Sequence, residues 1–348
     1  MPADGTVGGK LRRIRNRKRT MDRISVILAA CRGEKFIGEQ LESLRLQTRL
    51  PDELLIGDDS GADDTTARAV QSWIQARKPP FEVRFFRNTP PLGVNGNFRF
   101  LGEKASGDIV FFCDQDDYWL PEKIARLAAV LEDRPEAEAV CGFSFLTDSA
   151  LVSLENQDGS EMAAVRKMPP GKLFRAFLRN TVVGNGHNIA IRKRSLVRLP
   201  VWDGLFFYDA WLLRSCAAAE KLLFLPERLT LHRVHGANLT IGPRGNTGGR
   251  LQPRLRELLY SPPPVDEFQH LLAQWELFRK NLRTSPLAPE IPAHNSRLLD
   301  ECIAYYRIRM DFRRRSLPGR LFIPPELFKG YFRFGNRFRS IIRDLAGL

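Results

Sequence analysis

The stretch FFCDQDDYWL, Phe111–Leu120, ends an apolar run with a cluster of acidic residues. Asp114, Asp116 and Asp117 stand within four positions, after two phenylalanines and a cysteine. Carboxylates held close together repel one another, and near apolar residues they also lose solvation. A bound divalent cation would offset both effects, because hard cations prefer oxygen ligands. The segment alone fits either a metal site or a solvated turn, since Asp is also a common turn residue.

The residues before this cluster alternate between short apolar runs and amphipathic segments. The apolar runs predict buried strands, and the segments with apolar residues at helical spacing predict helices. The predicted strands lie within residues 23–31, 52–60, 81–88 and 108–117, and the predicted helices within residues 35–48, 63–76 and 94–105. This alternation predicts an α/β domain with a largely parallel sheet.

Two of these predicted strands end in paired acidic residues. Asp58 and Asp59 follow the second strand, and Asp114 and Asp116 follow the fourth. Ligands of open α/β sheets bind beyond the carboxyl ends of the strands. We therefore expect the four carboxylates to converge on one sheet edge, which favours a metal site over a single exposed turn.

Composition limits the class of protein further. The chain has 348 residues, of which 43% are hydrophobic, so it can bury a sizeable core in one large or two modest domains. Mean hydropathy is −0.28, and no run approaches the roughly 20 apolar residues of a membrane span. Five widely spaced cysteines indicate neither a disulfide framework nor a zinc site. Without a secretory apolar segment after the basic N-terminal run, we expect a cytoplasmic protein.

The net charge of +14 is concentrated at the two ends of the chain. Residues Lys10–Arg19 are almost all basic. The C-terminal part carries a second set of arginines, namely Arg313, Arg314, Arg315, Arg320, Arg333, Arg337, Arg339 and Arg343. Such charge suits nucleic acid, anionic lipid or a phosphorylated substrate, or it serves solubility alone.

Several motifs resemble those of glycosyltransferase family 2, whose enzymes have the GT-A fold. The start of the family's nucleotide-binding half is matched by Ser43, Gln47 and Thr48 and by the segment GDDS, with Asp58, Asp59 and Ser60. Asp114-Gln115-Asp116 stands at the family's DXD motif. The segment FYDAWLL around Asp209 is similar to the family's acceptor-site helix, and LHRVHGANLT, Leu231–Thr240, is similar to its closing loop. The subgroup it most resembles makes bacterial surface polysaccharides and includes many rhamnosyltransferase-like enzymes.

The resemblance implies an inverting, metal-dependent transfer of a sugar from a UDP- or dTDP-linked donor to a saccharide or lipid-linked acceptor. It implies Mg²⁺ or Mn²⁺ as cofactor and Asp209 as the catalytic base. The implied metal ligands are Asp114, Asp116 and His235. The residues implied for nucleotide-sugar binding are Ala29, Cys31, Glu34, Asp58, Asp59, Asn97, Asp114, Gln115 and Arg233. The residues implied for the acceptor and sugar loop are Gly184, Gly186, His187, Asn188, Tyr208 and Trp211.

Some residues keep a structural alternative. Asp58 and Asp209 could each cap a helix instead, and we expect Asp117 to cap the helix that begins near Pro121. His232 is expected to be structural. Two other classes of protein also stay open: a nucleic-acid-binding protein, suggested by the charge, and a nucleotidyltransferase, which also combines an α/β sheet with carboxylates.

The predicted organisation has three parts. Residues 1–22 are expected to form a disordered basic tail, residues 23–245 the GT-A domain, and residues 246–348 a helical basic and aromatic extension. The glycine-rich segment Ile241–Arg250 fits a lid or a linker. The mixture of aromatic residues and arginines in the extension fits two structures: an interfacial helix at the inner face of the cytoplasmic membrane, or a helix packed on the main domain.

Overall fold

The computed structural model describes residues 21–154, 159–182, 184–198, 207–236, 238, 265–285, 287–335 and 338–346. Nearly all of the predicted N-terminal tail, the glycine-rich segment and the predicted domain boundary near residue 245 lie outside these ranges. The parts of the predicted site all lie within them.

Eight strands in the described residues form one mixed sheet. They are β1 Ile24–Ala30, β2 Glu53–Asp58, β3 Glu82–Arg87, β4 Ile109–Asp114, β5 Tyr118–Trp119, β6 Ala139–Thr147, β7 Ile189–Arg192 and β8 Leu222–Arg233. Their order across the sheet is β3-β2-β1-β4-β7-β6-β8-β5. The predicted α/β class and the four predicted strands are confirmed.

Helices connect the strands and cover both faces of the sheet. In the first half they are α1 Ile37–Arg45, α2 Thr65–Arg77, α3 Gly93–Lys104 and α4 Lys123–Asp133. They are followed by α5 Ser160–Arg166, α6 Pro170–Leu178, α7 Lys193–Arg198 and α8 Tyr208–Ala218. The C-terminal helices are α9 Val265–Thr284, α10 Ala293–Arg313, α11 Leu317–Arg320, α12 Pro325–Arg333 and α13 Phe338–Ala346.

The strands β1 to β4 are all parallel, with β1 between β2 and β4. Their side chains alternate between two cores because successive strand residues point to opposite faces. On β1, Ile27 joins the core under α3 and α8, whereas Val26 and Leu28 join the core under α1 and α4. Burial on both faces explains why β1, β2 and β4 are nearly continuous apolar runs, whereas β3 at the sheet edge is only partly buried.

The second half of the sheet reverses direction. Strand β7 runs antiparallel to β4, so the turn before β7 lies beside the carboxyl end of β4. Strand β8 runs parallel to β6 and antiparallel to the short β5, which pairs Tyr118 with Leu231. These pairings bring the residues before β7 and at the end of β8 to the edge where β4 ends.

The C-terminal helices share a hydrophobic core with the sheet domain. Trp275 and Phe278 of α9 belong to the same cluster as Phe174 of α6 and Trp211 of α8. Phe278 meets the ring of Trp211 edge to face, with 5.1 Å between centroids. The C-terminal helices therefore extend the main core and do not form a separate one.

Helices α12 and α13 are held on α10 by a buried ion-pair cluster. Asp344 accepts hydrogen bonds from Arg309 at 2.6 and 3.0 Å, from Tyr331 at 2.7 Å and from Arg313 at 3.3 Å. The buried face of these helices therefore packs on the main domain, which is one of the two alternatives predicted for this region. None of the helices in the described ranges combines the length and hydropathy that a bilayer crossing needs.

Candidate active site

The acidic ends of β2 and β4 lie on either side of β1. Ala30 pairs in register with Asp58, and Ala29 pairs with Asp114. Because the three strands are parallel, their carboxyl ends form one edge. The strand pairing therefore brings the acidic strand ends together, as expected, and Ala29 lies between the two acidic segments.

The two carboxylates after β2 have different surroundings. Asp58 is fully buried, and its Oδ1 accepts hydrogen bonds from the backbone and the hydroxyl of Ser60, at 3.0 and 2.5 Å. It therefore shapes the turn after the strand and caps no helix. Asp59 Oδ1 accepts from Asn88 Nδ2 at 2.6 Å and from the Leu92 N–H at 3.2 Å. Among the described residues no hydrogen bond is recorded to Asp59 Oδ2, which leaves that oxygen for a ligand.

The amide of Gln115 joins the acidic motif to the loop after β1. Its Oε1 accepts from the Cys31 N–H at 2.8 Å, and its Nε2 donates to the Cys31 carbonyl at 3.0 Å. A Cβ on Gly33 would lie 2.0 Å from Gln115 Oε1, so a larger residue there would displace the Gln115 amide from this position. Glu34, farther along the loop, accepts a hydrogen bond from Thr65 at 3.2 Å. The loop after β1 is thereby fixed against both the DXD-like motif and the start of α2.

Asp116 meets His235, a residue more than a hundred positions away. Asp116 Oδ2 lies 2.8 Å from His235 Nε2, and Asn238 Nδ2 is 3.5 Å from the same oxygen. Burial and the negative charges of Asp117 and Asp114 raise the pKa of Asp116, and the contact with His235 opposes this shift. The structure thus brings together two of the three predicted metal ligands.

Arg233 is buried within protein contacts. Its guanidinium donates to the Asp116 carbonyl at 2.9 Å, to Glu39 at 2.8 Å and to the Ser149 carbonyl. The group also lies over the ring of Phe36, 4.4 Å from its centroid. Arg233 therefore holds the backbone of the acidic motif in place, and its predicted contact with phosphate stays a prediction.

Asp117 does not cap α4, and the prediction that it would was wrong. The side chain is fully buried, and its Oδ1 accepts from His232 Nδ1 at 2.8 Å and from the Arg233 N–H at 3.3 Å. Its Oδ2 lies 3.4 Å from Nδ1 of His187, whose ring stacks on His232 with 4.5 Å between centroids. The antiparallel pairing of β5 with β8 places His232 next to Asp117, which the sequence could not show.

The charges in this cluster stabilise one another. Burial alone would raise the pKa of Asp117, but the neighbouring imidazoles of His187 and His232 lower it to about 2. Burial alone would lower the pKa of His232, but the carboxylate of Asp117 raises it to about 9. Asp117 and His232 therefore form an ion pair over the neutral pH range.

The side chains close enough together to hold a metal ion are not the predicted metal ligands, and the accessibility of the two groups differs. Within the described ranges, Asp117, His187 and His232 form the one group of three whose ligand atoms all lie within 4.8 Å of one another. All three are buried, so a diphosphate could not reach an ion held there. The side chains of Asp114, Asp116 and His235 are 35%, 15% and 15% exposed. The open group, with carboxylate and imidazole donors and mutually repelling charges, suits a cation that also binds phosphate oxygens.

Asp209 lies in the first turn of α8 and faces the turn before β7. Its Oδ2 accepts from the Gly186 N–H at 3.1 Å, and its Oδ1 accepts from the Ala210 N–H at 2.7 Å. Burial raises the pKa of Asp209, and the negative charge of Asp114 adds to the rise. The carboxyl group therefore lies in the first turn of the helix, and the charge of the acidic motif acts on it.

Other predicted site residues have packing roles in the structure. Asn97 is buried, donates to the Gly57 carbonyl at 2.8 Å and accepts from Asn88 at 3.1 Å, so it supports the partner of Asp59. Trp211 lies in the core against α9. Tyr208 is buried and stacks on Phe112, with 4.9 Å between centroids. In the described contacts Asn97, Tyr208 and Trp211 pack within the protein, and their predicted roles at the nucleotide sugar and the acceptor stay predictions.

The glycines before β7 are needed because α8 approaches closely. A Cβ on Gly184 would lie 2.4 Å from a methyl carbon of Leu213, and one on Gly186 would lie 1.8 Å from the hydroxyl oxygen of Tyr208. These glycines therefore have a packing role, and their predicted approach to a sugar stays a prediction. His187 and Asn188 follow in a short 3₁₀ turn and are buried behind Asp114.

Four residues around the acidic motif were missed by reasoning from the sequence. Lys123 is buried under Trp119, with its Nζ 3.8 Å from the ring centroid, and it donates hydrogen bonds to the His187 carbonyl and to Thr230. Ser144 contacts the ring of His187, and Asn88 contacts Asp59. No local pattern marks these positions, because each contact joins distant parts of the chain.

The fold matches solved structures, two of which hold nucleotide sugars. S. aureus TarS 1–349, solved with UDP-GlcNAc, matches with a TM-score of 0.53 and 14% identity, over 93% of this chain and 81% of that one. The Pyrobaculum calidifontis mannosyltransferase PcManGT, solved with GDP-Man and Mn²⁺, matches with a TM-score of 0.52 and 16% identity, over 94% and 88%. The fold is GT-A, with C-terminal helices added.

The sequence gives the family. Residues 25–199 match the family model described as Glycosyl transferase family 2, which covers half of the chain. The protein belongs to glycosyl transferase family 2.

Curated relatives share part of their length with this chain. An uncharacterised glycosyltransferase of Nostoc sp. is 24% identical over 62% of this chain and 66% of its own length. An uncharacterised protein of Mycobacterium tuberculosis is 32% identical over 61% and 59%. The GalNAc(5)-diNAcBac-PP-undecaprenol beta-1,3-glucosyltransferase of Campylobacter jejuni is 21% identical over 65% and 70%. The chain thus spans under two thirds of the length of the first two relatives.

Proposed function

We propose that this protein is an inverting, metal-dependent glycosyltransferase. It would move a sugar from a UDP- or dTDP-linked donor to a hydroxyl of a saccharide or lipid-linked acceptor in the synthesis of a bacterial surface polysaccharide. The observation that carries the proposal is the contact of Asp116 with His235, 2.8 Å apart at the open edge where the acidic strand ends meet. The family membership of the chain sets aside the nucleic-acid-binding and nucleotidyltransferase hypotheses.

The nucleobase is assigned to the pocket around Asp59. Its Oδ1 is held by Asn88 and Leu92, so the carboxylate has a fixed orientation. Asp59 Oδ2 can then accept the imide N–H of uracil or thymine in a charge-assisted hydrogen bond. The loop from Cys31 to Glu34, fixed by Gln115, contacts the segment that carries Asp59 through Cys31 and Arg32. This arrangement supports a pyrimidine diphosphate donor.

The diphosphate is assigned to the open group of Asp114, Asp116 and His235. These side chains would hold Mg²⁺ or Mn²⁺, which supplies positive charge to the leaving diphosphate when bound. The mixed carboxylate and imidazole donors suit Mn²⁺ well, and carboxylates with phosphate suit either ion. Two contacts fix the orientation of this group: Asn238 meets the Asp116 carboxylate, and Arg233 donates to the Asp116 carbonyl.

Asp209 is assigned as the general base that takes the proton from the acceptor hydroxyl. Its carboxylate is fixed by two backbone N–H groups, at 2.7 and 3.1 Å. The raised pKa makes it a stronger base than an exposed aspartate. A base placed opposite the leaving diphosphate gives in-line attack, and one displacement inverts the anomeric centre.

The class of acceptor is proposed from the relatives. The Campylobacter jejuni relative is named for a glucosyl transfer to an undecaprenol-linked saccharide. Another relative, from Bacillus subtilis, is named as a teichuronic acid biosynthesis glycosyltransferase. By analogy, a polysaccharide or lipid-linked saccharide is the acceptor that we propose for this chain.

The C-terminal helices offer a surface suited to the membrane that carries such an acceptor. Leu321 is 84% exposed and Phe322 is 73% exposed, and Phe328 on α12 is also exposed. Exposed Arg315 and Lys329 lie close to them in sequence. Apolar side chains flanked by cations suit an anionic lipid surface. We propose peripheral contact with the inner face of the cytoplasmic membrane through this surface.

The enzymatic proposal is tested by release of nucleoside diphosphate. The purified chain is incubated with a set of UDP- and dTDP-sugars, with Mn²⁺ or Mg²⁺ or with a chelator, and the released diphosphate is measured. We expect release with at least one donor, and only when metal is present. Asp116→Asn should abolish release and weaken metal-dependent binding of UDP, while thermal unfolding stays cooperative.

The matched control is Asp133→Asn, the same change at an exposed position at the end of α4. This variant should behave like the original protein. Full activity of Asp116→Asn at ordinary metal concentration would exclude the metal assignment. Metal-independent release would exclude the proposed mechanism while leaving the family membership intact.

A further inference from the structure

Behind the acidic motif, four hydrogen bonds form one continuous chain through the interior. Lys123 Nζ lies 2.6 Å from Thr230 Oγ1, and Thr230 Oγ1 lies 2.8 Å from Asn188 Oδ1. Asn188 Nδ2 lies 2.7 Å from Ser144 Oγ, which lies 2.8 Å from His187 Nε2. The five residues come from α4, β8, the turn before β7 and β6. Their chain ends at the ring that faces Asp114 and Asp117.

The chain has a single direction because the amide oxygen of Asn188 can only accept. Thr230 gives its one proton to that oxygen, so Thr230 Oγ1 accepts from Lys123, whether the lysine, whose pKa burial lowers to about 7, is charged or neutral. The Asn188 amide donates to Ser144. The one proton of the Ser144 hydroxyl has His187 Nε2 within reach as its acceptor. Used in this way, it places a lone pair on Nε2 and, in the neutral imidazole, the proton on Nδ1.

The other side of the His187 ring requires the same tautomer. Nδ1 lies 3.4 Å from Asp114 Oδ2 and 3.4 Å from Asp117 Oδ2. Ionised carboxylates can only accept, so a lone pair on Nδ1 would repel both oxygens. Asp117 Oδ2 is fully buried and has no hydrogen-bond partner among the described residues. Nδ1 of His187 lies 3.4 Å from this oxygen, a distance that makes the contact mainly electrostatic.

We propose that Lys123, Thr230, Asn188 and Ser144 are positioning residues that fix His187 as the Nδ1–H tautomer, and that His187 thereby orients the carboxylates of Asp114 and Asp117. The functional part of this inference rests on the proposed assignment of Asp114 to the diphosphate site. Orientation of Asp114 before the donor arrives would strengthen metal-dependent binding, because no rearrangement is then needed.

A buried metal ion on Asp117, His187 and His232 is the competing interpretation of the same cluster. It requires a lone pair on each imidazole toward the ion. His187 Nε2 is occupied by Ser144, and Nδ1 of both histidines faces Asp117 with a proton. The hydrogen-bonded interpretation satisfies these groups without an ion.

The tautomer can be measured without any substrate. Long-range ¹H–¹⁵N spectra of protein labelled at its five histidines distinguish Nδ1–H, Nε2–H and doubly protonated rings. The His187→Gln variant identifies the His187 signals by their loss. At one fixed, mildly alkaline pH we expect the Nδ1–H pattern. In Ser144→Ala and in Thr230→Val, which break the chain at two places, we expect that pattern to change toward a mixture.

Two control variants separate positioning from general damage. Ser144→Thr keeps the hydroxyl and should restore the Nδ1–H pattern. Ser72→Ala makes the same change as Ser144→Ala at an exposed position of α2 and should leave all histidine signals unchanged. Calorimetric binding of UDP with Mn²⁺ should weaken by about 10-fold or more in Ser144→Ala, the usual effect of losing a partner behind a metal ligand. Thermal unfolding of this variant should remain cooperative.

An Nε2–H or doubly protonated His187, or a pattern unaffected by both chain-breaking variants, would overturn the inference. So would stoichiometric Zn²⁺ that shifts the signals of His187 and His232 together, because a buried metal site would then be the correct description. Loss of the Nδ1–H pattern in Ser144→Ala with unchanged UDP and Mn²⁺ binding would overturn the role of His187 in orienting Asp114. Absence of sugar transfer with every donor would contradict the proposed function alone, since the spectra are recorded without a donor.

Discussion

Replacement of Asp209 by Asn tests the proposed base with little disturbance of the fold. Asparagine has nearly the same shape, but only one of its two terminal atoms can accept a hydrogen bond. Asp209 accepts from the N–H groups of Gly186 and Ala210 in the present structure. The variant therefore keeps one of these bonds and loses the other.

The expected effects on stability and on catalysis differ in size. Loss of one hydrogen bond destabilises by about 1 kcal/mol. Burial raises the pKa of Asp209 above its unfolded value, so its ionised form opposes folding at neutral pH, and a neutral amide removes that cost. The two effects act in opposite directions, and we expect little net change in the free energy of unfolding. Loss of a general base should lower kcat by about 100-fold or more, or about 2.7 kcal/mol in the activation free energy.

The pH dependence has a definite sign. A general base must be ionised, so kcat should fall as the pH decreases through the raised pKa of Asp209. The stability contribution of this group runs the other way. Because its folded pKa lies above the unfolded one, protonation stabilises the folded state, and this stabilisation is lost as the pH rises through the folded value. An acidic decline in kcat without a parallel loss of stability would therefore be specific to catalysis.

The assay combines steady-state transfer, calorimetric donor binding and urea unfolding for Asp209→Asn and for the control Asp133→Asn. We expect donor affinity and unfolding near the original values, a large fall in kcat, and loss of the acidic decline in what activity remains. A proportionate loss of donor affinity, turnover and stability would identify Asp209 as a structural residue of the helix start. Unchanged kcat would refute the assignment directly.

Three further predictions address other parts of the molecule. Asp344→Asn should lower the free energy of unfolding by about 3–5 kcal/mol in urea titrations, because buried arginines lose their counter-charge. The control Asp311→Asn, at an exposed carboxylate, should change that free energy by less than about 0.5 kcal/mol. Equal effects of the two changes would refute the role of the cluster in docking the C-terminal helices. His235→Ala should weaken Mn²⁺-dependent UDP binding by about 10-fold or more in calorimetry, and unchanged affinity would remove His235 from the site. The double change Leu321→Ser and Phe322→Ser should remove the salt-resistant part of binding to anionic vesicles in sedimentation assays, with transfer to a soluble acceptor unchanged. If the original protein does not bind such vesicles, this surface is not a membrane contact.

The parallel half of the fold could be predicted from the sequence because its signals are local. A short apolar run followed by acidic residues marks both a buried strand and its carboxyl end, as at Asp58 and Asp114. Parallel register then determines that these ends meet. The amphipathic pattern of the connecting segments likewise gave α1, α2 and α3, with differences only at their ends.

The second half could not be predicted in this way because its contacts join distant residues. Asp117 and His232 are 115 positions apart, and nothing near Asp117 distinguishes a helix cap from the partner of a buried histidine. Trp211 follows the proposed base in sequence, yet the helical turn directs it into the core. In the C-terminal region the alternation of aromatic residues was visible, but which face packs on α10 was not. Tyr331 is buried there, whereas Phe328 is exposed.

The strand β4 explains why the site has two halves that work together. On one side β4 pairs with β1, which carries the loop of the proposed nucleotide pocket. On the other side it pairs with β7, whose preceding turn contacts Asp209 through Gly186 and contains His187. Asp114 ends β4 and therefore stands between the proposed donor and acceptor groups. A change in the orientation of that one carboxylate would be felt by both, because the negative charge of Asp114 also contributes to the raised pKa of Asp209.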